Sequence, residues 1–210
     1  MIITYYGNQF FKIAQGDTVV AINPPSKDSG ANPARFGSVL ALSTTNHPLY
    51  NGFETVTHGE NIPFVISGPG EYECAGIMIK GKGTITHIGE KEHNTAIYSL
   101  VIEDTKIGFL GPIDKPLMAA DYEVLSGTDI LFIPIGGEGV LTPAEANKVA
   151  NAIEPKIIIP MDYSKGRIKD ALKMFLKESS EGNVEPIEKL TIRRKEIESK
   201  EGDVIVLMEN

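Results

Sequence analysis

The sequence predicts an α/β (α+β) fold, a single domain over residues 1–210 in which helices flank packed sheets. Three observations carry this expectation. Short strand-like runs separated by tight turns fill the first half, and strand–helix–strand units fill the second. No linker, fixed-period repeat or low-complexity tract divides the chain.

Residues 2–6, 9–14 and 18–23 read as strands with turns at Gly7–Asn8 and Gly16–Asp17 between them, which makes an antiparallel meander. The apolar runs SVLALST at 38–44 and PFVISG at 63–68 suit interior strands covered on both faces. Pro69 and Gly70 then supply the fixed and the positive φ of a type II turn, and AGIMIKG resumes the strand pattern. AIYSLVIED, KIGFLG, DILFIPI and KIIIPM are further strands. Between the last two, Thr142 is an N-cap, Pro143 an N1 proline and Glu145 the acid of a capping box, so a helix is expected over LTPAEANKVANAI. Ile168, Leu172, Phe175 and Leu176 share one face of a second helix over about residues 166–179. KLTIRRKEIE and DVIVLME read as the last strands.

Composition limits the partners. The 20 basic and 28 acidic residues give a formal charge of −8, which repels a phosphate backbone, and no basic stripe interleaved with aromatics is present. Neither nucleic acid nor an anionic membrane is expected to bind. One cysteine, Cys74, allows no intramolecular disulfide. MIITYYGNQFFKIAQGD has no basic segment followed by an apolar one, and no run nears the ~18 apolar residues of a membrane span. A cytoplasmic protein is the expectation.

The motifs INPP at 22–25, STTNHPLY at 43–50, GPGEYE at 68–73, HNTAIYSLVIED at 93–104, FLGPID at 109–114, IPIGGEG at 133–139 and IPMDY at 159–163 follow a recognisable order. In that order the chain resembles the metallo-β-lactamase fold superfamily, in its L-ascorbate-6-phosphate lactonase-like branch. The resemblance implies a four-layer αβ/βα sandwich and a zinc-dependent hydrolase. It also implies where the metal ligands belong. The family loop H-x-H-x-D-H falls on Thr45, Asn46, His47, Pro48, Leu49 and Tyr50, which keeps only the second histidine. The bridging aspartate after L-G corresponds to Pro112, the last histidine to Asp162, and the early aspartate before proline to Asn23. His87, shortly before the N-T strand, lies about where another family histidine is expected.

Two zinc ions lower the pKa of a shared water towards ~7, which requires several anionic or imidazole ligands. Leu49 and Pro112 offer none, Thr45 is a weak neutral oxygen, and Tyr50 is a phenol with an ordinary pKa of ~10. The expectation is a degenerate site with no metal or other cofactor, in a non-catalytic binding or assembly protein for a small molecule or a protein chain. The alternative is a lactone- or phosphoester-class hydrolase rebuilt on one zinc, held by His47, His87 and Asp162 with a water in the fourth position. A homo-oligomer, with donors completed across an interface, is a third reading. On the same resemblance Thr45, Asn46, Tyr50, Asn51, Asn94 and Pro112 are expected to line the cleft, and no catalytic residue is assigned.

Blander roles stand beside these. His47 can hydrogen-bond loop backbone, and His58 and His93 lie in polar sequence expected to be solvated. Cys74 reads as a small core residue. Glu71 and Glu73 alternate on a strand near a turn and read as a solvated pair. IGGEGV at 135–140 could cradle an anion or simply need glycine conformations before the capped helix. Ser43, Ser67 and Ser99 have no nucleophile-elbow context.

Overall fold

The computed structural model describes residues 1–60, 62–163 and 167–210. Alternating apolar residues build the first meander. In β1 (Ile2–Tyr5), β2 (Phe11–Gln15) and β3 (Thr18–Ile22), the registers Ile3↔Ile13 and Ile13↔Val20 put these three side chains on one face. β4 (Leu40–Leu42) and β5 (Phe64–Ile66) extend this sheet in parallel from β3, and β12 (Lys189–Thr191) pairs antiparallel on the far side of β1. The six strands run in the order β12-β1-β2-β3-β4-β5.

The second sheet has seven strands in the order β13-β11-β10-β9-β8-β7-β6. β6 (Gly70–Cys74), β7 (Ile77–Ile88), β8 (Lys91–Ile102) and β9 (Thr105–Phe109) are antiparallel neighbours. β10 (Ile130–Pro134), β11 (Ile157–Met161) and β13 (Asp203–Val204) continue in parallel. β10 and β11 are buried along their whole length, as a strand covered on both faces must be.

The sheets face each other across a core in which Phe11 meets Phe132 edge-on at 4.7 Å and stacks on Tyr5 at 4.6 Å. Full burial of such a side chain contributes about 1.5–3 kcal/mol. On the outer face of the second sheet, Leu131, Ile133 and Ile158 pack under α1 (Ala119–Leu125), α2 (Pro143–Ile153) and α3 (Ala171–Glu178) through Leu125, Val149 and Phe175. Over the first sheet, Phe10, Ala21, Ala41 and Val56 pack with Tyr6, Phe36 and Phe53 from loops and a short 3-10 turn. Among the described residues no helix is long and apolar enough to cross a membrane.

The helix after Thr142 forms as expected. Thr142 Oγ1 accepts from the Glu145 amide at 3.3 Å, and Glu145 Oε2 accepts from the Thr142 amide at 2.9 Å. Other segments differ from the sequence reading. The strand expected over 189–198 stops at Thr191, and α4 (Arg194–Glu198) follows. There the Arg193 amide donates to Glu196 and Arg194 pairs with Glu198 one turn on, local helical contacts that outweigh the β-propensity of the preceding LTI. The expected last strand is regular only at Asp203–Val204 and continues as single bridges at Leu207 and Glu209. The second helix begins at Ala171, after Asp170 in a left-handed conformation, and residue 166 of its expected span lies outside the described residues.

Two elements exceed the sequence reading. α1 is entered through Asp121, whose carboxylate accepts from the Met118 amide at 2.8 Å. β7 and β8 continue well past the expected strands and form a long hairpin with twelve-residue arms. Glycine, lysine and glutamate obscure its pattern, but Gly81 is required there, because a Cβ would lie 2.6 Å from the Tyr98 ring.

Candidate functional site

The site lies where β3, β4 and β11 end, each delivering a polar residue. Asn23 follows β3 with φ +52°, and its Oδ1 accepts from the Thr44 amide at 2.8 Å and the Thr44 hydroxyl at 3.0 Å. Its Nδ2 donates to Gln9 Oε1 at 3.3 Å, and Gln9 Nε2 donates to Asp162 Oδ2 at 2.8 Å. Asp162 follows β11 with φ +57° and is 1% exposed. This chain of neutral amides leads from the first sheet to one buried carboxylate on the second.

Arg167 answers that charge. Its Nε donates to Asp162 Oδ1 and its Nη2 to Asp162 Oδ2, both at 2.8 Å, while Nη1 donates to the Glu138 carbonyl at 2.6 Å. Such a two-pronged contact is the strong form of this ion pair. The IGGEG loop makes room for it: a Cβ on Gly136 would lie 2.0 Å from the Asp162 carbonyl oxygen and 2.7 Å from Arg167 Cγ. Burial opposes the Arg167 charge, but Asp162 outweighs it and the guanidinium pKa rises. Tyr50 is fully buried beside the pair. Burial, then the Asp162 charge, push its phenol well above the usual range against the pull of Arg167.

The other two candidate donors have partners of their own. His87, on β7, contacts Asp114 Oδ2 through Nδ1 at 2.8 Å, and its amide donates to the same oxygen at 3.3 Å. Asp114 Oδ1 is buried without a hydrogen-bond partner among the described residues. His47 accepts from the Leu49 amide at Nδ1, 3.3 Å away. Its ring meets His93 edge-on, with centroids 5.5 Å apart. Burial, then His93, lower the His47 pKa. His47, His87 and Asp162 therefore engage three separate partners. Among the described residues, no three His, Cys, Asp or Glu side chains are grouped to hold a metal ion.

A cleft of about 790 Å³ opens over the pair, with Tyr6, Tyr50, His87, Pro112, Glu138 and Arg167 among its walls. Tyr50 and Pro112 are among its walls; Thr45, Asn46, Asn51 and Asn94 are not. Thr45 Oγ1 instead donates to Thr95 at 2.7 Å and is buried, Asn51 donates to Asn46 at 2.8 Å, and Asn94 is exposed on β8. His93 lies on β8 against His47 rather than in a solvated loop, while His58 is exposed. Cys74 packs half-buried against the core, and Glu71 is a solvated partner of Lys80 at 3.2 Å. Sequence reasoning missed Arg167 and Gln9. An arginine five residues after Asp162, beyond a strand end, was the available signal for the first, and nothing local marked the second.

A profile of the β-lactamase superfamily domain matches residues 2–162. The chain belongs to that family. Its fold is that of a candidate Zn-dependent hydrolase of the metallo-β-lactamase superfamily from Thermotoga maritima, at TM-score 0.78 and 25% identity over 98% of this chain and 97% of that one. The metallo hydrolase Igni18 of Ignicoccus hospitalis shares the fold at TM-score 0.66 and 14% identity, over 99% and 95% of the two chains. A UPF0173 protein of Pyrococcus abyssi is 34% identical over 76 residues, 34% of this chain and 35% of that protein, so the match spans about a third of that relative's length.

Proposed function

We propose that this chain is a metal-independent binding protein, a member of the lactonase-like branch in which most metal-ligand positions have been replaced and the cleft receives a small molecule. The observation that supports this reading is the saturation of Asp162. Both oxygens are held by Arg167 and one also by Gln9, so an incoming metal meets a guanidinium already seated there. With His87 turned to Asp114 and with only carbon at Leu49 and Pro112, these residues do not fit a zinc pair. The net charge of −8 disfavours a nucleic-acid partner, and a single cysteine, which needs no oxidising compartment, fits a cytoplasmic role.

A second reading is favoured by the likeness to the Thermotoga protein, a candidate Zn-dependent hydrolase. One zinc on His47, His87 and Asp162 would require Arg167 to release the carboxylate and His87 to turn from Asp114. Elemental analysis of protein purified without chelator, beside a His47→Ala control, separates the two. The binding reading expects zinc well below one per chain and unchanged in the control. Stoichiometric zinc lost in the control, with metal-dependent hydrolysis of a lactone or phosphodiester, overturns it.

A further inference from the structure

The two sheets end in four edge strands, β12 and β5 in the first, β13 and β6 in the second. An open edge pairs with other chains, and charged side chains are a usual protection against this. Three of the four carry them: β12 begins at Lys189, β13 begins at Asp203, and β6 holds Glu71 and Glu73. β5 is Phe-Val-Ile and has none. Apolar side chains stand exposed around it instead, Ile62 at 79%, Phe64 at 48%, Val65 at 41% and Val39, just before β4, at 40%. The Phe64 amide donates to the Val39 carbonyl and the Ser43 amide to the Ile66 carbonyl, both at 2.8 Å. Phe64 and Ile66 therefore turn their main chain toward β4, and Val65 between them turns its N–H and C=O outward. Among the described residues no strand or bridge pairs with that outer side.

We infer that β5 is the contact between two copies of this chain, which pair antiparallel about a two-fold axis at Val65 and join their first sheets into one. The edge is complementary to itself, as a two-fold contact requires. Each Val65 donates its N–H to the C=O of the other, and Phe64 of each copy lies opposite Ile66 of the other, on the same face. Val65 is the centre because Pro63 has no N–H to donate and Ser67 lies past the end of the strand. Residues 62–69 carry no charge in a chain of net −8, so an oppositely charged partner finds nothing to recognise there, while two like-charged copies can approach. The four exposed side chains offer roughly 400 Å² of apolar surface per copy, about half the ~800 Å² per partner of a standard interface, which makes this a weak dimer that forms and separates with concentration. The contact is the same whether or not the cleft holds a metal.

The test is sedimentation velocity on the full chain, beside the variants Val65→Lys and Val65→Glu. The unmutated chain is expected to pass from monomer to dimer with a Kd on the order of 10–100 µM. Because each copy carries −8, the dimer should tighten about threefold as salt rises from about 0.05 to about 0.5 M. Each variant alone sets like charges opposite each other and should weaken association about tenfold or more, and an equal mixture of the two should restore it in low salt. A chain that stays monomeric at about 500 µM, well above that Kd, overturns the inference and leaves the edge to a different protein. A dimer that either variant leaves unchanged also overturns it, as does a loss in both variants that the mixture fails to restore while each keeps its Tm. A measurement without mutation covers variants that do not fold: hydrogen exchange of the Val65 amide in the unmutated chain is expected to slow about three- to tenfold between dilute and concentrated samples, and unchanged exchange overturns the inference.

Discussion

Replacing Arg167 by methionine should be among the most damaging changes that leave the two sheets intact. Asp162 is 1% exposed and would lose two of its three side-chain hydrogen bonds, keeping only the one from Gln9. Removing one partner of a buried pair costs about 3–5 kcal/mol, because the remaining charge is left without compensation. For a chain of this size that corresponds to a fall in Tm of roughly 6–20 °C. Urea melts at pH 7 measure the loss. Adding Asp162→Asn should recover most of it, because the buried group left behind is then uncharged. A single-variant loss below about 1 kcal/mol, the worth of an exposed pair, would refute the claim that this contact is buried and compensating.

Other consequences can be measured alongside. Thr142→Ala should cost about 1 kcal/mol in urea melts, as loss of an N-cap does. It should also raise the Glu145 pKa, which hydrogen bonds from the Thr142 side chain and backbone lower; that contribution to stability is present above the ordinary carboxylate pKa and lost as pH falls through the lowered one. Gly136→Ala places a methyl 2.0 Å from the Asp162 carbonyl oxygen, so a loss of about 1–3 kcal/mol is expected, with shifted amide resonances in the IGGEG loop. NMR titration should find His47 protonating below the usual imidazole range, and His93→Gln should move it part of the way back. Because that pKa is depressed in the folded chain, stability should decline as pH falls below ~6.5, and less so in the variant.

The fold was largely legible because its signals are local. β10 and β11 announce themselves as apolar runs, and α2 carries a capping box that forms as spelled. The hairpin arms were shortened in the sequence reading because Gly81 and Gly83 face bulky neighbours rather than follow strand composition. α4 was hidden because only Ile192 and Arg193 separate it from the three-residue β12. At the site, the resemblance pointed to Asp162, which directly follows β11, and to Tyr50 and Pro112, which lie on the loops beyond β4 and β9. What it could not give was pairing. Gln9 reaches Asp162 across 153 positions, and His87 finds Asp114 across 27. No periodicity records such meetings, which depend on how two sheets close on each other.

The pairing of Ile2 with Thr191 puts a delay into biosynthesis. At about 5–20 residues per second, a ribosome needs on the order of ten to forty seconds to make the intervening chain. During that interval β1 has β2 on one side and an open row of amides and carbonyls on the other. Such a row is a template for pairing with neighbouring nascent chains. Any truncation before Lys189 would make that open edge permanent, and such fragments should be recovered as aggregates even where the remaining strands can fold.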